Sequence, residues 1–131
     1  MDEYLEFKIK THKGLNKKIL FLRYKKEDFD PDEDTMYKLI DTYFKEIKGH
    51  GRLIIIVDLR ELETWNKKTA WEGAAEVKKE EKIVIETVSQ FVIITENKIM
   101  NGFLNIILQV MGNKIKTNFV NDINSALEIL N

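Results

Sequence analysis

Cysteine is absent from the 131 residues, which removes disulfides, thiolate metal sites and cysteine nucleophiles together. Proline occurs once, at Pro31, and the six glycines are scattered, so the chain holds neither a Gly-rich phosphate loop nor a Pro-rich or Gly/Ser-rich linker. Serine is confined to Ser89 and Ser125, with no Gly-x-Ser-x-Gly elbow. The two histidines read as surface residues: His12 falls in a predicted turn and His50 between two glycines, with no third ligand at metal-recruiting spacing. Charge of one sign is lacking too. The 21 basic residues nearly cancel the 22 acidic ones, so no global field draws the chain onto nucleic acid or an anionic membrane, and the Lys-rich pairs read as a solvated surface. No run approaches the ~20 apolar residues of a membrane span, and Met1-Asp2-Glu3-Tyr4 lacks the basic and then apolar pattern of a secretion signal. The expectation is a cytoplasmic protein that does not insert into membranes, is not an enzyme and carries no cofactor or metal.

What is present is enough for one core. With 44% hydrophobic residues, the length suits a single domain over 1–131. Leu53-Ile54-Ile55-Ile56-Val57, ending in Asp58-Leu59 and preceded by Gly49-His50-Gly51, reads as a strand buried on both faces and therefore as the centre of a sheet. Tyr4 to Lys10 alternates, with Leu5, Phe7 and Ile9 against Glu6, Lys8 and Lys10, the period of a half-buried strand near a sheet edge. A polar turn with Gly14 leads to a second strand over Ile19 to Tyr24, paired with the first as a hairpin. Asp30-Pro31-Asp32-Glu33 predicts a helix from Pro31 to Lys48 capped by Asp30. Its apolar stripe is Met36, Leu39, Ile40, Tyr43, Phe44 and Ile47, and its stop is Gly49.

After the central strand, Arg60 to Asn66 predicts a loop above the sheet, and Asn66 a cap for a helix running to about Glu81 with Ala70, Gly73, Ala74 and Val77 on its inner face. Those residues are small and would let the helix approach the sheet closely. Lys82 to Gln90 admits continued helix or a strand start. The phase of Val77, Val84 and Val88 favours helix to about Glu86, followed by a second buried strand over Phe91 to Thr95. Such a pair makes a right-handed parallel βαβ unit. Lys98 to Met111 predicts a helix with apolar residues on more than one stripe. That helix is either wedged between packed surfaces or keeps apolar area for a partner. Lys114 to Val120 reads as a short edge strand, and Asn121-Asp122 caps a last helix with Ala126, Leu127 and Leu130 facing inward. The order ββαβαβαβα implies a two-layer α/β domain with a mixed sheet of four or five strands.

Two stretches resemble the STAS domain family, the fold of bacterial anti-sigma factor antagonists such as the SpoIIAA-like proteins. One is Ile55-Ile56-Val57-Asp58-Leu59-Arg60-Glu61-Leu62, an apolar strand ending in Asp-Leu before a loop and a small-residue helix. The other runs from Phe91 through Phe103-Leu104-Asn105-Ile106-Ile107 to Asn121-Asp122-Ile123-Asn124-Ser125-Ala126-Leu127. The resemblance implies a non-enzymatic regulatory or scaffolding domain that binds a protein partner, such as a kinase-like or anti-sigma regulator, or a second copy of itself. The SpoIIAA-like branch implies an alternative, a module that holds a small apolar or lipid-like ligand between sheet and helices.

The family's regulatory members switch through a serine at the start of the helix after the central strand. Here Asn66-Lys67-Lys68-Thr69 stands at that place: lysines replace the serines, so the usual phosphoacceptor is lacking, and Thr69 is either the nearest substitute or an ordinary first-turn helix residue. A phosphate there would add about two negative charges beside a helix amino terminus. Lys67 and Lys68 at the same terminus are either an anion trap or two solvated lysines. Asp58, at the end of the central strand, is either a functional carboxylate or a loop anchor accepting from the backbone amides of Glu61 to Glu63. Trp65 and Trp71 flank the segment as candidate contact anchors, although Trp71 would equally serve to cover the sheet edge. The expected partner surface is thus Asp58, Trp65, Asn66, Lys67, Lys68, Thr69 and Trp71. The acids Asp28, Asp30, Asp32, Glu33 and Asp34 lack the glycine and terminal glutamate of a calcium loop, and helix capping accounts for most of them.

Overall fold

A computed structural model describes residues 4–11, 18–96, 104–105 and 115–130, and the backbone but not the side chains of Lys67 and Thr69. Its centre is the strand Leu53–Asp58 (β4), as the apolar run predicts. Leu53, Ile55 and Ile56 have no more than traces of exposure. The hairpin strands Leu5–Thr11 (β1) and Lys18–Tyr24 (β2) pair antiparallel, with Leu5 opposite Tyr24 and Thr11 opposite Lys18. β2 then lies parallel to β4. On the other side β4 runs parallel to Val88–Ile94 (β6), and β6 runs parallel to Lys116–Val120 (β7). The sheet order is β1-β2-β4-β6-β7, with β1 and β7 at the edges.

Parallel neighbours need crossover connections, and helices supply those from β2 to β4 and from β4 to β6 on one face of the sheet. On one face lie Glu33–Ile47 (α1), Lys67–Lys79 (α2) and Glu81–Thr87 (α3). Leu20, Phe44, Ile47, Leu53, Ile55, Val84 and Val88 form a core beneath α1 and α3. The alternate residues of the same strands, Ile19, Ile54, Ile56, Val92 and Ile94, meet Ala126 and Leu130 of the last helix, Ile123–Leu130 (α4). The period-two rule of strands thus sends each apolar run to two cores at once. α4 adds a partial third layer to the two expected. No helix of the described residues is long and apolar enough to cross a membrane.

Several local expectations shift. α1 is capped by Asp32, whose Oδ1 accepts from the Thr35 N–H at 2.7 Å, and not by Asp30. Both acids flank Pro31, but only Asp32 lies three residues before an amide it can reach, so the helix starts at Glu33. Gly49 and Gly51 have φ of 82° and 70°, the left-handed backbone that turns the chain from α1 into β4. The helix predicted to reach Glu86 is broken at Glu80 into α2 and α3, and β6 begins at Val88, three residues ahead of the expected Phe91. Val88 keeps the helical phase of Val84 yet is extended, because it packs fully buried against the sheet core. A two-stranded parallel ribbon of Asp28–Phe29 (β3) and Thr64–Trp65 (β5) was not foreseen. Apart from Leu104 and Asn105, the predicted helix from Lys98 to Met111 lies outside the described residues, as does the turn at Gly14.

Candidate functional site

The segment after β4 divides into two environments. At the end of β4, Asp58 is 9% exposed. Arg60 donates to its Oδ1 from the backbone N–H at 3.1 Å and from Nε at 3.0 Å, and to its Oδ2 from Nη2 at 2.8 Å. Burial pushes the Asp58 carboxyl up, but the hydrogen bonds and charge of Arg60, aided by Arg23, outweigh it and hold the group below the usual carboxylate range. Asp58 therefore anchors the loop, though not through the expected amides. The Leu62 N–H donates to Leu59 O at 3.0 Å, and the Glu63 and Thr64 N–H groups both donate to Glu27 O at 2.7 and 2.9 Å. Those last two bonds hold β5 beside β3, where Thr64 Oγ1 also donates to Asp28 Oδ1 at 2.7 Å. A carboxylate saturated by one guanidinium is a fixed charge rather than a proton-transfer group.

The second environment is apolar. β5 carries Trp65 inward, so the tryptophan expected on an open loop is half-buried against Tyr24, 5.5 Å between ring centroids, and Phe29, 5.6 Å in an edge-to-face pair. Tyr24 and Phe29 are 4.9 Å apart, and Tyr4 closes the group edge-on to Phe29 at 5.6 Å. Behind this aromatic wall lies a partly open cavity of about 220 Å³. Its floor is the sheet, through Leu22, Val57 and Ile93. Its sides are Met36 and Tyr43 of α1 and Ala70, Ala74 and Val77 of α2, and Leu104 also borders it.

The cavity explains why α1's stripe is only half committed. Leu39, Phe44 and Ile47 are buried, whereas Met36, Ile40 and Tyr43 are partly open onto the cavity. Val57, the one β4 residue that is not buried, opens onto it as well. The small face of α2 was expected to draw that helix onto the sheet. Ala70 and Ala74 are indeed buried, but Gly73 faces Met36 of α1 and a gap stays open beneath. Burial pushes the phenols of both Tyr24 and Tyr43 well above the usual range, and the Tyr24 phenol adds to the rise at Tyr43.

Three of the remaining predicted contact residues, Asn66, Lys68 and Trp71, sit on the outer rim. Asn66 is exposed and its carbonyl accepts from the Ala70 N–H at 2.9 Å, the first turn of α2. Lys68 is exposed, and Trp71 is 36% exposed. The side chains of Lys67 and Thr69 lie outside the described residues. The structure thus separates the seven candidates: Trp65 belongs to the cavity wall, Asp58 to the Arg60 anchor, and Asn66, Lys68 and Trp71 to the surface. Sequence reasoning missed Tyr24, Phe29 and Tyr43 as site residues. The available signal was a set of aromatics in otherwise charged segments. No group of acids and histidines among the described residues is arranged to hold a metal ion.

No family model and no curated protein matches the chain. Among solved structures it is similar to the crystal structure of an uncharacterized protein of the DUF3478 family with a SpoIIAA-like fold from Shewanella loihica. The TM-score is 0.66 at 15% sequence identity, over 98% of this chain and 94% of that one. The fold is SpoIIAA-like, as the two quoted stretches implied.

Proposed function

We propose that this SpoIIAA-like chain is a non-enzymatic binding module whose ligand is a small apolar molecule taken up between α1, α2 and the sheet. The observation that carries the reading is the cavity: a concave apolar surface walled by aromatic side chains, Tyr24, Phe29 and Trp65 among them, and flanked by α1 and α2. Such a surface is unfavourable when wet. An occupant gains about 2.5 kcal/mol for each 100 Å² of apolar area removed from water, and aromatic walls on a largely preformed scaffold are what small-molecule sites usually offer. Native mass spectrometry on freshly purified protein tests it. An extra mass should be retained and then released on denaturation, and Ala74→Leu, which intrudes on the cavity, should abolish it with the far-ultraviolet circular dichroism unchanged. A clean apo mass together with no thermal stabilisation by any apolar compound would sink the reading.

A second reading, docking of a protein partner, is favoured by one observation: the indole of Trp71 stands 36% exposed one turn beyond the exposed Lys68. A half-exposed tryptophan beside a cation is a common anchor for a partner surface, and a kinase-like or anti-sigma regulator, or a second copy of the chain, would fit there. Replacing Lys68 and Trp71 together by Ala tests this cleanly, because Trp65 is occupied in the cavity wall. Undiminished capture of a protein partner by the double variant would exclude the surface.

A further inference from the structure

Resting on the cavity reading, we propose that the site selects a compact, uncharged molecule with a single hydrogen-bonding group held by the phenols of Tyr24 and Tyr43, and rejects long-chain anionic lipids. Size is the first argument. A ~150 Å³ apolar cavity accommodates benzene, so by proportion 220 Å³ accommodates about nine non-hydrogen atoms. A bicyclic ring or a medium-length chain fills that space, whereas a membrane-lipid acyl chain would leave much of its length outside the cavity.

Charge is the second. The described lining residues include no carboxylate and no cation; their polar side-chain groups are the phenols of Tyr24 and Tyr43, the Trp65 indole nitrogen and the Met36 thioether. An ionised carboxylate or phosphate would meet no counter-ion among the described lining residues, and burying a charge unpaired is far more costly than burying a neutral group. The third argument is placement. Tyr24 comes from β2 and Tyr43 from α1, so two tyrosines line one cavity from facing elements, and a phenol is able both to donate and to accept. Burial keeps both in the neutral form across the physiological range.

The test uses the full chain with Trp71→Phe, so that Trp65 in the cavity wall reports alone, titrated at neutral pH with 1-octanol, octanoate, palmitate and the wholly apolar indene. The proposal expects 1-octanol to bind at least tenfold more tightly than octanoate or palmitate. It also expects Tyr24→Phe with Tyr43→Phe to weaken 1-octanol several-fold while leaving indene unchanged, the indene titration serving as the check that the variant is folded. Octanoate or palmitate binding as tightly as 1-octanol overturns the selectivity and leaves the apolar cavity standing. Silence of Trp65 toward all four compounds, indene included, overturns the cavity reading and the selectivity together.

Discussion

The Asp58 and Arg60 pair shows how one ion pair fixes the exit of the central strand. Asp58 sits opposite Ile94 of β6, and the next residue, Leu59, donates from its N–H to Ile94 O at 2.9 Å. The charges of Glu96 and Asp122 also favour the charged form of Arg60. A carboxyl whose folded value lies below its unfolded one contributes stability that is complete above the unfolded value, about 3.9, and is lost as pH falls through the folded value. Asp58→Asn should therefore lower the unfolding free energy at neutral pH by about 1 to 2 kcal/mol for the lost charge-assisted bonds, read as an earlier urea midpoint. It should also flatten the loss of stability below about pH 4. Wild-type and variant curves running parallel from pH 7 to pH 2 would show that Arg60 does not depress this carboxyl. Asp58 was legible in the sequence because a single acid closes an apolar run. Its partner was not, since a hydrogen-bonding fork two residues along looks like any exposed arginine until the backbone places it.

At the scale of elements, the helices bound the site and were read with uneven success. α1 was clear, because its apolar residues recur at three and four and an acid stands before it. α2 was clear in existence but not in contact. Gly73 lies in its interior, and a Cβ built there would meet Met36 Sδ at 3.6 Å and Cε at 3.7 Å, ordinary van der Waals distances. Gly73→Ala should thus stabilise the protein by about 0.5 to 1 kcal/mol through reduced backbone freedom in the unfolded chain. That corresponds to a rise of about 3 °C in the thermal midpoint, measured by calorimetry. A fall would mean that α2 and α1 pack more tightly than these distances indicate. β3 and β5 defeat sequence reading for a different reason. Two residues are too few to show a period, and Asp28-Phe29 and Thr64-Trp65 pair only because Glu27 O collects two amides from the far side of the loop. The inward turn of Trp65 follows from that pairing, so the tryptophan moved from surface anchor to cavity wall.

For the whole molecule, the ladder β2-β4-β6 carries the two cores and should be the last part to open. Native-state amide exchange should be slowest at Ile55, Ile56, Val92 and Ile94, which are fully buried, and orders of magnitude faster in the β3 and β5 ribbon. Equal protection in the two sheets would contradict a core centred on β4. That architecture was written in the linear pattern: unbroken β-branched runs demand burial on both faces, and only a parallel, helix-covered sheet supplies it. The βαβ handedness rule did the rest. What sequence could not decide is where the packing stops short. Whether Ala70, Gly73 and Ala74 rest on the strands or on α1 depends on how two helices split by the break at Glu80 share one sheet face. Local propensity carries no information about that choice, so the cavity, the phenols beside it and the side on which Trp65 lies were settled by tertiary contacts alone.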